Sequence, residues 1–81
     1  MQIDIITPDK KIYSGECTSV SVPGSDGRMQ FLKNHAPLIS SLGNGKVKVK
    51  ATDGMHEFNI SGGVVEVLKN KIILLAEKVV V

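Results

Sequence analysis

Few residues of this 81-residue chain are of types that do chemistry, and none is spaced to do it together. The acidic side chains (Asp4, Asp9, Glu16, Asp26, Asp53, Glu57, Glu66 and Glu77) are scattered at turns or at outward strand positions. No two have the spacing of a general acid and its partner base. His35 and His56 are the only histidines and Cys17 the only cysteine, so a zinc site built from such ligands lacks donors. Cys17 has no nearby histidine to activate it and reads as a buried or half-buried structural thiol, since free cysteine packs as a small hydrophobe. His35, just before Ala36-Pro37, reads as a surface or interface histidine, and His56, just after Asp53-Gly54, as a rim residue. The expectation is a non-catalytic chain with no cofactor, no metal and no small-molecule substrate.

Two further patterns invite a binding role. Gly43-Asn44-Gly45 and Gly62-Gly63 are glycine-rich, but a phosphate cradle needs a helix N-terminus after the loop, and strand-like residues follow here. They read as turns that need positive φ. Lys46, Lys48 and Lys50 alternate with Val47 and Val49, which suggests nucleic acid until the aromatics are counted. Bases stack on aromatic platforms; Tyr13, Phe31 and Phe58 are the only aromatics, and none lies on the lysine face. The stripe reads instead as the wet side of an edge or solvated strand protected by lysines.

The elements that carry these residues are strands. Val and Ile together number 18 against 9 for Ala and Leu, so residues stiff at χ1 dominate. Strand-length segments are predicted at 2–6, 17–22, 29–32, 46–51, 55–60, 64–68 and 72–76. Ile3 and Ile5 share a face, as do Val20 and Val22, Val47 and Val49, and Phe58 and Ile60. Breaks fall at Thr7-Pro8-Asp9, at Pro23-Gly24-Ser25-Asp26-Gly27, at residues 33–37, at the two glycine clusters, at a two-residue Asp53-Gly54 hairpin and at Lys69-Asn70-Lys71. No window carries a 3.6-residue apolar stripe, so the class is all-β, an antiparallel sandwich or barrel. Val79-Val80-Val81 at the end want a strand partner or a buried contact.

Length and charge bound the rest. One domain over residues 1–81 is expected, with a net charge of +2 that suits neither a polyanion binder nor an acidic tail. With 42% apolar and 22% charged residues the chain is globular rather than disordered. A chain this short buries only about 60% of its unfolded surface, so a partner surface would help it. The lone thiol suits a reducing compartment, and the N-terminus lacks the basic and apolar regions of a signal peptide. The longest apolar run, residues 72–76, is too short to cross a bilayer. A soluble adaptor without a membrane insert is therefore expected. Its distinctive parts are the polar turn of residues 24–28 and the apolar segment His35-Ala36-Pro37-Leu38-Ile39. Pro37 lowers the entropy lost in holding that segment still. Leu38 and Ile39 face opposite ways in an extended chain, one for the core and one for a partner.

The run Val22-Pro23-Gly24-Ser25-Asp26-Gly27, followed by Phe31-Leu32-Lys33-Asn34-His35-Ala36-Pro37-Leu38, resembles the signature of the epsilon subunit family of F-type ATP synthases. Lys33-Asn34 stands where Pro-Gly is usual, while His-Ala-Pro-Leu is intact. Asn44-Gly45-Lys46-Val47, Ile60-Ser61-Gly62-Gly63-Val64-Val65-Glu66-Val67 and Leu75-Ala76-Glu77 extend the resemblance over nearly the whole chain. It implies a flattened antiparallel β-sandwich of about ten short strands in two sheets, at the foot of a central stalk. It implies a rotor subunit that clasps the gamma subunit through His35, Ala36, Pro37, Leu38 and Ile39. Ser25, Asp26, Gly27, Arg28 and Met29 would face the c-ring, although an acidic or polar residue is common where Arg28 stands. The implied role is coupling of proton flow to ATP synthesis without catalysis, at the cytoplasmic face of the bacterial inner membrane as a peripheral protein. The family usually adds a C-terminal helical pair that inhibits ATP hydrolysis. Val81 stands where those helices would begin, so on this resemblance the chain is expected to be a short form that couples without that inhibitory route.

Two other classes share the size and strand content. A biotinyl or lipoyl carrier presents its modified lysine at a tight hairpin tip, and the Asp53-Gly54 hairpin has no lysine there. A small nucleic-acid-binding β-barrel is disfavoured by the aromatic count.

Overall fold

Val and Ile at alternate positions, interrupted by turn residues, give six strands in the computed structural model, which describes residues 1–80. They are β1 Gln2–Ile6, β2 Lys11–Gly24, β3 Gly27–Leu32, β4 Leu38–Ala51, β5 Gly54–Leu68 and β6 Lys71–Val80. The ladder order is β1-β6-β5-β4-β2-β3, and β1 also pairs with β2, so the sheet closes on itself with β3 outside the ring beside β2. All pairings are antiparallel except that of β1 with β6, where Ile3 stands opposite Ile72 and Ile5 opposite Leu74. Closure removes most of the open edges that would otherwise recruit other chains.

Inside lies one apolar cluster. Ile3, Ile5, Val20, Val22, Phe31, Val47, Val49, Val65, Val67, Ile72 and Leu74 are fully buried. Each contributes about 1.5–3 kcal/mol by leaving water. Cys17 is buried among them. Val79 and Val80 pair with Ile60 and Asn59 of β5, which supplies the strand partner they call for; Val81 lies outside the described residues.

The all-β class holds, but six strands replace about ten. The difference lies in the glycines. On β4 the inward positions are even-numbered up to Leu42 and odd-numbered from Val47. On β5 they change from even at Ile60 to odd at Val65, and on β6 from even at Ala76 to odd at Val79. The ladder does not slip: Leu42 and Gly63 pair, then Asn44 and Ser61; Gly63 and Ala76 pair, then Ser61 and Lys78. Gly62 and Gly63, with φ of +68° and +139°, turn the chain over without ending it. A crease thus runs across three adjacent strands and folds their halves into facing layers, as strands that switch sheets do at a sandwich corner. A Cβ at Gly63 would be driven into the Leu75 carbonyl oxygen and lie 3.0 Å from Ala76 Cα, so only glycine fits. On β2 the same change of side between Cys17 and Val20 is made by a β-bulge.

Two smaller corrections follow. The lysine-bearing strand, β4, lies between β5 and β2, so its lysines cover a solvated face and protect no edge. The hairpin falls one residue early: Ala51 pairs with Gly54, leaving Thr52 and Asp53 as the loop and Gly54, at φ +131°, as the first residue of β5.

Candidate functional site

The segment after β3 is built from a short loop and the start of β4. The His35 N–H donates to the Leu32 carbonyl at 3.1 Å. Its ring stands edge-on to Phe31, with centroids 5.1 Å apart and planes at 85°. That contact ties the half-buried imidazole to a core side chain. Nδ1 lies 2.7 Å from the Ala36 carbonyl oxygen, which can only accept, so Nδ1 carries the proton. Ala36 and Pro37 are exposed, and Leu38 packs against the core cluster. Ile39 is 71% exposed. The alternation of a strand thus puts one neighbour in the core and the other in water, as the sequence implies. Pro37, Leu38 and Ile39 form one wall of a groove of about 380 Å³ whose other wall is Glu66, Val67 and Leu68 of β5.

The second candidate segment is the β2–β3 hairpin, where Gly24 pairs with Gly27 around Ser25 and Asp26. Ser25 is anchored to β4: its N–H donates to the Ser41 carbonyl at 3.1 Å, and the two hydroxyls are 2.7 Å apart. Arg28 lies back across the sheet. Its Nη2 donates to Ser21 Oγ at 2.8 Å and to the Lys46 carbonyl at 2.7 Å, and its Nε to Ser21 Oγ at 3.2 Å. Met29 is half-buried against the core, while Asp26 and Gly27 are exposed at the tip.

These two segments, far apart in composition, meet along β4. Ser41, which holds Ser25, is two residues from Ile39, about 7 Å along an extended strand and on the same outward side. The sequence does not reveal the second wall of the groove, because Glu66 and Leu68 come to Ile39 only through the β4–β5 register. Their outward parity on β5 was the available signal.

Elsewhere the reactive residue types are occupied structurally. Burial pushes the Cys17 thiol above its ordinary value, which keeps it protonated and unreactive at neutral pH. His56 is a half-buried rim residue: its Nε2 lies 3.0 Å from Asp53 Oδ1 and its ring 4.8 Å from that of Tyr13. The hydrogen bond from His56 lowers the Asp53 carboxyl. Among the described residues no group of three or more His, Cys, Asp or Glu side chains is placed to hold a metal ion. No helix of the structure is long and apolar enough to cross a membrane. The arrangement suits holding another surface.

Comparison with known proteins identifies one family over the whole chain. The family described as "ATP synthase, Delta/Epsilon chain, beta-sandwich domain" matches residues 1–81. The ATP synthase epsilon chain of Chlorobium limicola is 49% identical over 79 residues, covering 96% of this chain and 90% of that one. That of Leptospira borgpetersenii is 35% identical over 77 residues, covering 95% of this chain and 61% of the relative. Among solved structures, a chain of the Euglena gracilis mitochondrial ATP synthase OSCP/F1/c-ring structure superposes with a TM-score of 0.87 at 21% identity, covering 96% of this chain and 51% of that chain. A chain of the Tetrahymena thermophila mitochondrial ATP synthase central stalk/c-ring structure gives 0.82 at 14% identity, covering 98% and 64%. At those identities the structural likeness speaks to the fold.

Proposed function

The chain belongs to the family of ATP synthase delta/epsilon β-sandwich domains, and from that premise we propose that it is a non-catalytic rotor subunit of a proton-translocating F-type ATP synthase. In this reading it clasps the gamma subunit through the segment from His35 to Ile39 and meets the c-ring through the hairpin of Ser25 to Met29. Rotation driven by proton flow then passes to the catalytic head through rigid contacts. The subunit sits peripherally at the cytoplasmic face of the bacterial inner membrane, held there by its partners.

One observation supports the gamma assignment above the others. Ile39 places a large apolar side chain 71% in water, while Leu38 beside it is fixed against the core and Pro37 limits the backbone. An exposed aliphatic side chain next to a groove, on a strand that cannot swing, is what a docking anchor requires. The hairpin supports the ring assignment differently: Ser25 and Arg28 are tied to β4, so a force on the exposed tip at Asp26 passes into the sheet.

Affinity capture from native membranes tests the reading. The wild-type chain is expected to bring gamma and the catalytic subunits with it. Ile39→Asp, at a position 71% exposed, is expected to fold normally and to lose gamma by at least tenfold. Wild-type stoichiometry with Ile39→Asp overturns the docking assignment.

A further inference from the structure

Asn34 and Asn70 both hold left-handed backbone, with φ of +67° and +60°. Glycine meets that demand with the least strain, and Asn tolerates it better than most residues. Asparagine adds an amide, and here the two amides meet across 36 residues of sequence. The Asn34 N–H donates to Asn70 Oδ1 at 2.6 Å, and Asn70 Nδ2 donates back to Asn34 Oδ1 at 3.0 Å. The Asn70 carbonyl in turn accepts the Gln2 N–H at 2.9 Å. The β3–β4 loop is thereby clasped to the β5–β6 turn and, through it, to β1.

The groove walls themselves are held by the β4–β5 ladder, where Leu38 pairs with Val67 and Ile39 with Glu66; Asn34 lies just before one wall and Asn70 just after the other. Between Leu32 and Leu38 the only backbone-to-backbone hydrogen bond among the described residues is from the His35 N–H to the Leu32 carbonyl. We propose that Asn34 and Asn70 are positioning residues that set the loop leading into the groove, residues 33–37, in its binding geometry before the partner arrives. The inference rests on the docking reading above. A segment ordered beforehand loses less freedom on binding, so its affinity is higher without any added contact.

Three substitutions separate positioning from backbone conformation. Asn70→Gly keeps the left-handed backbone and removes both side-chain bonds. Asn34→Gly removes only the bond from Asn70 Nδ2. Asn34→Asp keeps both, because a carboxylate oxygen accepts from Asn70 Nδ2 as the amide oxygen does. Dissociation constants for gamma are expected to rise about five- to tenfold for Asn70→Gly and about two- to threefold for Asn34→Gly, and to stay within about twofold for Asn34→Asp. In the chain without its partner, amide exchange over residues 33–37 is expected to quicken with Asn70→Gly and not with Asn34→Asp. Unchanged exchange in Asn70→Gly, wild-type affinity of Asn70→Gly, or equal losses for Asn70→Gly and Asn34→Asp would each overturn the proposal. Failure of the docking reading is separate: Ile39→Asp would then retain gamma, while the exchange measurement, made without gamma, still decides whether the clasp exists.

Discussion

On its outer side β4 carries Ile39 and Ser41 before the crease and Lys46, Lys48 and Lys50 after it; on its inner side it carries Leu42 and then Val47 and Val49. The inner residues are alike because one core sets them. The outer residues are not set by that core, and they differ: the Ser41 hydroxyl meets Ser25, Lys46 meets Glu57, and Ile39 is left 71% in water. In the half with Ile39 the ladder sets Glu66 opposite Ile39 and Val64 opposite Ser41, and beyond Val64 the apolar residues Leu75 of β6 and Ile6 of β1 follow in turn. The half with the lysines meets Glu57, with Lys46 Nζ 3.3 Å from its carboxylate, as an ordinary solvated sheet does. Turning the strand over at the crease is what gives one strand two outer surfaces.

The strongest way to break that comparison is to remove the crease. Gly63→Val forces a branched side chain into the Leu75 carbonyl at a positive φ. We expect a loss of about 3 kcal/mol or more in denaturant unfolding. A variant of wild-type stability would mean that the halves can be arranged without glycine there.

A milder test compares the two outer faces directly. Ile39→Asp and Lys48→Asp both place a carboxylate at an exposed β4 position, and each is expected to change stability by no more than about 0.5 kcal/mol. Only the first should impair gamma capture. Equal loss from both would show that charge, rather than the apolar anchor, governs binding.

The smallest effect concerns acid. Ser14 Oγ donates to Asp4 at 2.6 Å and holds its carboxyl below the ordinary value of 3.8; His56 does the same for Asp53. The unfolded chain therefore takes up protons at higher pH than the folded one. The stability from these contacts is complete above the ordinary carboxylate range and is lost as pH falls through the depressed folded values. These two carboxyls should leave the thermal unfolding midpoint unchanged between about pH 5 and 7 and lower it below about pH 4. Ser14→Ala should flatten the fall; an unaltered slope would remove Asp4 from the account.

What could be read from the sequence follows the range of each interaction. Ile3 with Ile5, Val20 with Val22 and Val47 with Val49 are legible as inward pairs because a strand repeats every two residues. The segment from His35 to Ile39 is legible because proline and adjacent aliphatic residues are local features. The glycine clusters mislead: they look like strand ends, and only the partners on β5 and β6 reveal that the ladder runs through them. Asn34 with Asn70, and Arg28 with the Lys46 carbonyl, are pairings across the fold, which spacing along one chain cannot display.

The pairing of β1 with β6 carries a consequence for folding. Ile3 and Ile5 stand opposite Ile72 and Leu74, about 70 positions further along the chain. The ring therefore cannot close by local pairing alone, and contacts between residues so far apart in sequence form slowly. Until it closes, the apolar first strand is covered on one edge only, by β2.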